Sequence, residues 1–371
     1  MKYQRYAFND PAVRTTKMSM PFGNAEISIP EFDLPISLRE NFKRAVSKRD
    51  PLWVPNTLTD MQSLASQDLV TEKVRGLVVN ADYRNRPTTA ETYTDWFNTH
   101  WTWVPMAGAP MLTPGSQLLS DITKWESVVV WPDLSEWDFE ATAAQFMKTE
   151  YDPNKALNIN IGRGITERLI AILGGYTDGM LAFAEEPEAV RAFNERFADH
   201  LIEYFDLVFK LYPVDMISYH DDWGTERDTF FSERMMEDLI YEPTKRIIDH
   251  IKSKDVSFLL HCCGNITRFV PYMADLNIDL LQLQRRAVDI PALKHKFGDR
   301  VGFNYGFEGF EGFGADPGYS NEQMVKLIHD SVDLFGPSGG YLVSFFSGEP
   351  EVVWLVLNEL YAYGREFYEL G

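Results

Sequence analysis

Short apolar runs alternate with amphipathic segments from about Asn154 to the C-terminus. The runs are VDMISYH, VSFLLHCCGN, IDLLQLQ, VGFNYGFE and GGYLVSFFSGE, and each predicts a strand. The segments between these runs have helical spacing and predict helices. These helices are expected over about 187–208, over about 232–252, in a segment that ends near residue 274, near Pro291, in a segment that begins at residue 320, and over about 356–367. This alternation predicts right-handed parallel βα units, and strands that are apolar throughout are expected where both faces of a sheet are covered.

Capping signals support two of these helices. Pro187 suits the first turn of the helix that carries Val190, and Ser320 with Gln323 forms a capping box. Another amphipathic helix is predicted over residues 38–47. The rest of roughly the first 100 residues is rich in Pro, Asn, Thr and Trp and predicts irregular structure.

The fold class that this pattern predicts is α/β. The 371 residues suffice for two ordinary domains or for one α/β barrel with additions. An open doubly wound sheet also fits the alternation, but no glycine-rich fingerprint follows a first strand. We therefore predict a single domain over residues 1–371, a (β/α)8 TIM barrel with residues 1–100 as an irregular N-terminal extension packed on the barrel.

Polar side chains follow five of the predicted strands at their carboxyl ends, where parallel α/β folds bind ligands. They are His220, Asp221, Asp222 and Trp223; His261, Cys262 and Cys263; Gln282 and Gln284; Asn304, Tyr305 and Glu308; and Ser344, Ser347 and Glu349. A barrel with a purely structural role does not need such residues on so many strands. We therefore predict a functional site at this rim.

The charge balance limits the partners. The chain has 35 Lys and Arg against 55 Asp and Glu, a net charge of −20, which argues against nucleic acid or an anionic membrane as partner. The N-terminus lacks the apolar core of a signal peptide, and the most apolar stretch, residues 169–184, is interrupted by Thr177 and Asp178. These features predict a cytoplasmic protein.

The two cysteines are adjacent, which excludes a disulfide framework. Imidazole and thiolate are ligands that zinc prefers, and alternation along a strand puts His261 and Cys263 on one side while Cys262 points into the packing. The alternative is that all three are core residues, since free cysteine is among the most buried residue types. Asp221 and Asp222 are candidates for a general base or metal ligand, or for a helix cap.

Glycines and aromatic residues near the rim predict a cover and a pocket. The stretch GFEGFEGFG, residues 306–314, contains Glu308 and Glu311 but no lysine, so it favours a flexible lid over a phosphate-binding loop. Aromatic candidates for the wall of an apolar pocket are Trp96, Trp101, Trp103, Tyr305, Phe307, Phe310, Phe313, Phe345 and Phe346.

Several segments resemble the uroporphyrinogen decarboxylase-like superfamily. They are HDDWGT at residues 220–225, FFSERMMEDLIYEPTKRIIDHIKSK, LLHCCGNI, VGFNYGFE and GGYLVSFFSGEP. LRENFKRAVSKRDPLWVP from Leu38 looks like the opening helix and first strand of that superfamily. The resemblance runs from about Leu38 to the C-terminus and implies a (β/α)8 barrel.

Within this superfamily the chain resembles the corrinoid-dependent methyltransferase branch. The arginine-bearing RQAGRY-type motif of the true decarboxylases has no counterpart here. The methyltransferases hold zinc with an H-x-C pair and a distant cysteine; His261 and Cys263 match the pair, and FFSGEPE stands where that cysteine is expected. The resemblance therefore implies a zinc site of His261 and Cys263, with Glu349 or Ser347 in place of the missing cysteine.

The resemblance implies a zinc-dependent methyltransferase, a demethylase that moves a methyl group between a small methylated substrate, such as a methoxylated aromatic, and a corrinoid protein. Methylcobalamin or cob(I)alamin would come with this partner, because the chain has no D-x-H-x-x-G corrinoid motif. The catalytic candidates are Asp222, Asn304 and Tyr305, and the candidate substrate contacts are His220, Trp223, Gln282 and Phe345. The alternatives are a metal-independent decarboxylase-like lyase that uses Asp222 and Tyr305, and a non-catalytic barrel that binds a small ligand.

Overall fold

The computed structural model describes residues 3–19, 26–66, 69–70, 77–79, 89–106, 109–307, 318–345 and 347–370. The strands are β1 Thr15–Ser19, β2 Glu26–Pro30, β3 Met61–Ser66, β4 Leu69–Val70, β5 Leu77–Val79, β6 Thr92–Asp95, β7 His100–Val104, β8 Ala109–Leu112, β9 Ala156–Ile161, β10 Met216–His220, β11 Ser257–Cys262, β12 Leu280–Leu283, β13 Gly302–Tyr305 and β14 Tyr341–Val343.

The α-helices alternate with the later strands. They are α1 Leu38–Val46, α2 Trp125–Val128, α3 Phe139–Thr149, α4 Ile165–Ile172, α5 Tyr176–Glu185, α6 Pro187–Leu211, α7 Glu233–Met235, α8 Glu242–Lys252, α9 Val270–Asp275, α10 Ile290–Phe297, α11 Asn321–Phe335 and α12 Pro350–Leu370. A π-helical segment, Met236–Tyr241, joins α7 to α8.

The central sheet has the strand order β14-β13-β12-β11-β10-β9-β3-β5. The strands β3 and β9 to β14 are parallel, and β5 runs antiparallel to β3. At the far edge, Asn56 pairs in parallel with Val343 of β14, and the Thr57 N–H donates to the Val343 carbonyl at 2.8 Å. Because residues 56–57 lie just before β3, this contact curls the sheet round into a TIM-barrel-like form.

The predicted α/β barrel class is confirmed, and so are the strand–helix units from β10 onward. The helix α6 begins at Pro187, and the Ser320–Gln323 capping box is present at the start of α11 with both of its hydrogen bonds. The helix predicted over residues 38–47 is α1, where the Ser37 side chain accepts a hydrogen bond from the Glu40 N–H.

The prediction of irregular structure over residues 1–100 is wrong in part. The strand β3 lies in that range and belongs to the central sheet, and β1 pairs with β2 in a hairpin. A four-stranded antiparallel sheet, in the order β4-β6-β7-β8, also begins there. These strands are short and mix polar with apolar residues, as MQSLAS in β3 does, so their periodicity is weak.

Helices pack on the sheet through their apolar faces. In α6 the side chains at helical spacing, such as Phe193, Phe197 and Leu201, are completely buried, and α6 packs against α8. Every residue of β13 is buried, as expected for a strand with both faces covered. Burying each large apolar side chain contributes about 1.5–3 kcal/mol, so these layers hold the rim of the barrel in place. No helix within the described ranges has the length and apolar character needed to cross a membrane.

Candidate metal centre

The parallel register places four polar side chains at one level of the sheet. His220 of β10 lies beside His261 of β11, and His261 lies beside Gln282 of β12. Phe303 pairs with Leu281, which sets Asn304 of β13 next to Gln282. Because alternate residues of a strand face the same side, these four side chains project from the same face of the sheet.

Three potential metal ligands meet at this level. Asp222, His261 and Cys263 each offer one ligand atom, and these atoms all lie within 4.8 Å of one another. The Nε2 atom of His261 is 3.3 Å from the Cys263 sulfur and 3.8 Å from a carboxylate oxygen of Asp222. The Cys263 N–H donates to that same oxygen at 2.7 Å, which holds the Asp222 carboxylate beside the pair.

This donor set fits zinc. Tetrahedral zinc with bonds of about 2.0–2.3 Å places its ligand atoms about 3.3–3.6 Å apart, close to the distances from His261 Nε2. One nitrogen, one sulfur and one carboxylate oxygen are all zinc ligands, and three protein ligands leave a fourth position for water or substrate, as in catalytic zinc sites. The side chains of His261 and Asp222 are about a quarter exposed, so a small molecule can reach the site.

The adjacent cysteines have different surroundings, as strand alternation predicts. Cys262 is completely buried, and its sulfur accepts a hydrogen bond from the Trp223 N–H at 3.3 Å. Cys263 is half-buried beside His261. Burial, together with the neighbouring Asp222 and Glu167 carboxyl groups, raises the pKa of the Cys263 thiol to about 12.

The two adjacent aspartates also have different roles. Asp221 is completely buried and accepts hydrogen bonds from the Thr166 and Glu167 N–H groups and from the Thr166 hydroxyl at the start of α4. Burial raises the pKa of Asp221 to about 6. Asp221 thus accepts hydrogen bonds at the start of a helix, whereas Asp222 belongs to the candidate metal-ligand group, which consists of Asp222, His261 and Cys263. Sequence reasoning left both roles open for the pair.

His220 stacks on His261, with ring centroids 4.5 Å apart. Burial and the neighbouring His261 ring lower the pKa of His220 to about 3, so His220 is neutral and contributes no positive charge to the site. The neutral His220 ring therefore packs against one face of the His261 ring. Contact between His220 and a substrate stays a prediction.

Glu167 and Arg163 are rim residues that the sequence analysis missed. Both follow β9, whose carboxyl end was not among the predicted rim positions. Burial and the charges of Asp222 and Asp221 raise the pKa of Glu167 well above its usual range. The Arg163 guanidinium lies 3.6 Å over the ring of Trp101. The signal that could have found them is the sequence GRG directly after the apolar strand ALNINI.

Gly264 brings the loop after β11 against the loop after β10. It has φ +88°, and a Cβ atom there would lie 2.2 Å from the backbone carbonyl group of Gly224. The Gly264 N–H donates to the Gln284 side chain at 2.8 Å. Only glycine fits this position, so close backbone packing accounts for the glycine of the HCCG sequence independently of the candidate ligands before it.

The other predicted site residues lie outside the group of Asp222, His261 and Cys263. Asn304 and Gln282 bond to each other, and Gln282 also contacts His261. The Tyr305 ring lies on the opposite face of β13 from Asn304, packed 5.1 Å from Phe335 of α11. Trp223 is completely buried, and Phe345 is buried near Phe307.

Glu349 is exposed in the segment before α12 and is not among the three clustered candidate ligands. Its role as a metal ligand, and the catalytic and substrate-binding roles of the other residues, stay predictions. Of the predicted pocket aromatics, Trp96 packs in a buried cluster with Trp137 and Tyr204. Glu308, Phe310, Glu311, Phe313 and Phe346 lie outside the described residues, as does most of the predicted lid.

Comparison with known proteins identifies the family. The family model described as uroporphyrinogen decarboxylase (URO-D) matches residues 110–303, just over half of the chain. The protein therefore belongs to the uroporphyrinogen decarboxylase family. No curated protein matches the chain.

Solved structures support the fold. A methyltransferase from Methanosarcina mazei has a TM-score of 0.54 and 12% sequence identity, and the match covers 90% of this chain and 99% of that one. An L-ribulose 3-epimerase has a TM-score of 0.37 and 14% identity over 65% of this chain and 84% of its own. At these identities the first similarity shows a shared fold alone, and the second is too weak to support an argument.

Proposed function

We propose that the protein is a zinc-dependent methyltransferase that moves a methyl group between a small methylated substrate and a corrinoid protein. The observation that carries this proposal is the group formed by Asp222, His261 and Cys263 at the carboxyl ends of β10 and β11. Family membership and the shared fold with a methyltransferase are consistent with it.

The three side chains would hold the zinc ion through His261 Nε2, the Cys263 sulfur and an Asp222 carboxylate oxygen. Bound zinc supplies Lewis acidity, which polarises a coordinated oxygen, nitrogen or sulfur atom. Cys263 must lose its proton to act as ligand, so binding of zinc releases a proton and becomes stronger as the pH rises. The Asp222 carboxylate and the thiolate that Cys263 forms on losing its proton give the site negative charge, which favours a dication over an anion.

A methoxylated aromatic is the substrate class proposed here. The oxygen–methyl bond of the substrate breaks and a cobalt–methyl bond forms. The cob(I)alamin supplies the electron pair for the new bond and becomes methylcob(III)alamin, while the phenolic oxygen keeps the electrons of the broken bond and takes up a proton. Phe345, which follows β14 and has its ring 6.2 Å from that of the completely buried Phe307, is the side chain proposed to contact the aromatic ring of the substrate.

The corrinoid would be supplied by a partner protein, as the absence of a corrinoid-binding motif from the sequence predicts. Its cobalt atom must approach the rim, because the three ligands and the loops that carry them lie there. We expect a methylated corrinoid protein to be the physiological product or donor.

Adjacent cysteines provide a matched test of this proposal. We expect the purified protein to contain about one zinc per chain and to methylate free cob(I)alamin from a panel of methoxybenzoates. Cys263→Ser should lose most of the zinc and lower methyl transfer at least about 100-fold, because a thiolate ligand is removed. Cys262→Ser removes the sulfur of the neighbouring residue, which is not one of the proposed ligands, and this variant should retain the metal.

Elemental analysis and the absorbance change of cobalamin measure the two outcomes. Wild-type protein without zinc, together with methyl transfer that survives Cys263→Ser, would rule the proposal out. Metal-independent turnover of a carboxylated substrate, unaffected by a chelator, would instead indicate the decarboxylase-like lyase. Tight binding of a small ligand without turnover would indicate the non-catalytic barrel.

The identity of the third ligand is tested separately. We expect Asp222→Asn to lower zinc affinity about 10- to 100-fold, because the amide is a weaker ligand than the carboxylate. Glu349→Gln should change the affinity less than about threefold if Asp222 is the third ligand. The reverse ranking, measured by competition with a chelator, would assign Glu349 instead.

A further inference from the structure

A chain of side-chain hydrogen bonds crosses three neighbouring strands behind the metal-ligand group. His261 Nδ1 lies 2.8 Å from Gln282 Oε1, Gln282 Nε2 donates to Asn304 Oδ1, and Asn304 Nδ2 donates to the Leu342 carbonyl at 3.2 Å. The chain thus runs from β11 through β12 and β13 to the backbone of β14. Its members lie side by side because the parallel register aligns them.

The direction of every hydrogen bond in this chain follows from its last member. A backbone carbonyl can only accept, so Asn304 must turn its Nδ2 to Leu342 and its Oδ1 to Gln282. Gln282 must then donate through Nε2, which leaves Oε1 facing His261. Since Oε1 can only accept, the Nδ1 atom of His261 carries the proton.

This arrangement determines which His261 nitrogen is free to bind a metal. With the proton on Nδ1, the lone pair of the neutral ring is on Nε2, the atom that faces Cys263 and Asp222. We propose that Gln282 and Asn304 are positioning residues that hold His261 in the Nδ1–H tautomer, so that Nε2 is ready to bind the metal. This inference rests on the proposed function and assigns to the two amides a role other than contact with substrate.

Burial stabilises the orientation of the Gln282 and Asn304 amide groups. Asn304 is only 3% exposed, and Gln282 is half-buried, so water cannot easily replace a lost partner. Rotating the Asn304 amide would set its oxygen against the Leu342 carbonyl oxygen. Rotating the Gln282 amide alone would set its NH2 group against the Nδ1–H of His261. It would also set Gln282 Oε1 against Asn304 Oδ1.

Gln282→Met and Gln282→Glu are a matched pair for testing this chain of hydrogen bonds from His261 through Gln282 and Asn304, which we call the relay. Both keep side chains of similar length, but only glutamate can accept a hydrogen bond from Nδ1–H. We expect Gln282→Met to lower zinc affinity about 10- to 100-fold and Gln282→Glu to keep it within about threefold of wild type or improve it. Thermal unfolding of the metal-free variants, compared with wild type, checks that each is folded.

Asn304 supplies a second pair. Asn304→Asp retains an acceptor toward Gln282, so Gln282 keeps its orientation and His261 its tautomer. Asn304→Leu removes the anchor and lets Gln282 rotate. We therefore expect Asn304→Leu to lower zinc affinity more than Asn304→Asp does, although the aspartate can no longer donate to Leu342.

A direct readout is the tautomer itself, observed by nitrogen NMR of metal-free protein labelled with 15N-histidine in mildly alkaline buffer. The signals of His261 are identified by their loss in His261→Asn. We expect Nδ1–H in wild type and in Gln282→Glu, and a mixture of tautomers in Gln282→Met. An Nε2–H tautomer in wild type, or equal tautomer populations in wild type and Gln282→Met, would overturn the inference.

The readouts separate failure of this inference from failure of the proposed function. If wild type binds no zinc but shows the Nδ1–H tautomer and loses it in Gln282→Met, the relay stands and the metalloenzyme proposal fails. If zinc binds through Cys263 but His261 is in the Nε2–H form in the metal-free protein, the relay fails and the proposed function stands.

Discussion

Cys262 and Cys263 are adjacent in the chain, yet one packs in the core and the other faces His261. Strand periodicity was sufficient to predict this difference, because side chains alternate between faces whatever the surrounding fold. The contribution of Asp222 could not be predicted in the same way. It depends on how the loop after β10 turns toward β11, where the Cys263 N–H holds the carboxylate.

Gly264 provides a prediction at the residue scale. We expect Gly264→Ala to lower the free energy of unfolding by about 2 kcal/mol or more, because the residue has φ +88° and an added Cβ would meet the Gly224 backbone at 2.2 Å. Urea unfolding measures the change. Gly348→Ala is the control, since an added Cβ there meets no atom within 4 Å. Equal stabilities of the two variants would contradict the close packing described for the two loops.

Secondary-structure elements were predictable where their apolar pattern is long. The capping box of α11 and the proline start of α6 are local signals that need no tertiary context. The strands β3, β6 and β7 were not predicted because each is short and shares its hydrophobic surface with elements distant in sequence. Their polar contacts are also distant in sequence, since the Asp95 carboxylate at the end of β6 forms an ion pair with Arg168 of α4.

This buried ion pair connects the N-terminal antiparallel sheet to the barrel. Asp95 also accepts hydrogen bonds from the Trp101 side chain and from the Phe97 and Thr99 N–H groups. Although burial alone would raise it, the pKa of Asp95 is held below its usual range by Arg168 and Trp101. The carboxylate is therefore charged in the folded protein and compensates the buried guanidinium.

Replacing one partner of this pair is a prediction at the scale of elements. We expect Asp95→Asn to destabilise the protein by about 3–5 kcal/mol, because the buried Arg168 charge loses its carboxylate. Asp238→Asn removes the carboxylate of an exposed pair with Arg234 and should cost less than about 1 kcal/mol. Chemical denaturation compares the two variants. A cost for Asp95→Asn as small as that of the surface control would contradict the structural role of the pair.

The stability of the whole molecule should depend on pH through His200. This residue is 1% exposed and packs among Trp96, Phe97 and Trp131, and burial and the charges of Arg196 and Arg168 lower its pKa to about 4. An unfolded histidine has a pKa near 6.5. As the pH falls from about 6.5 to 4, the unfolded chain takes up a proton at His200 that the folded protein does not, so stability is lost.

We expect this loss to reach about 3 kcal/mol at pH 4 and to be absent in His200→Phe. The free energy of unfolding of both proteins is measured across this range, and the difference in slope is the result. Buried Asp60 and Asp221, whose pKa values are raised to about 6, act in the opposite direction but equally in both proteins. Identical slopes would show that His200 titrates alike in the folded and unfolded states.

At the scale of the whole molecule, the barrel and the rim that carries the site were predictable, because parallel βα units place every strand end on one side. The position of Asp222 beside His261 and the hydrogen bonds of Gln282 with His261 and Asn304 were not, because both depend on contacts between strands and loops that are distant in sequence. Asp222 and Cys263 are 41 residues apart, and Asn304 lies 22 residues beyond Gln282.

The central claim is that Asp222, His261 and Cys263 together bind zinc. X-ray absorption spectroscopy at the zinc edge of the purified, zinc-loaded protein tests it most directly. We predict one sulfur at about 2.3 Å from the zinc and nitrogen or oxygen ligands at about 2.0–2.2 Å, with the sulfur lost in Cys263→Ser and kept in Cys262→Ser. Zinc bound only through nitrogen and oxygen in wild type, or a sulfur shell that survives Cys263→Ser, would contradict the claim.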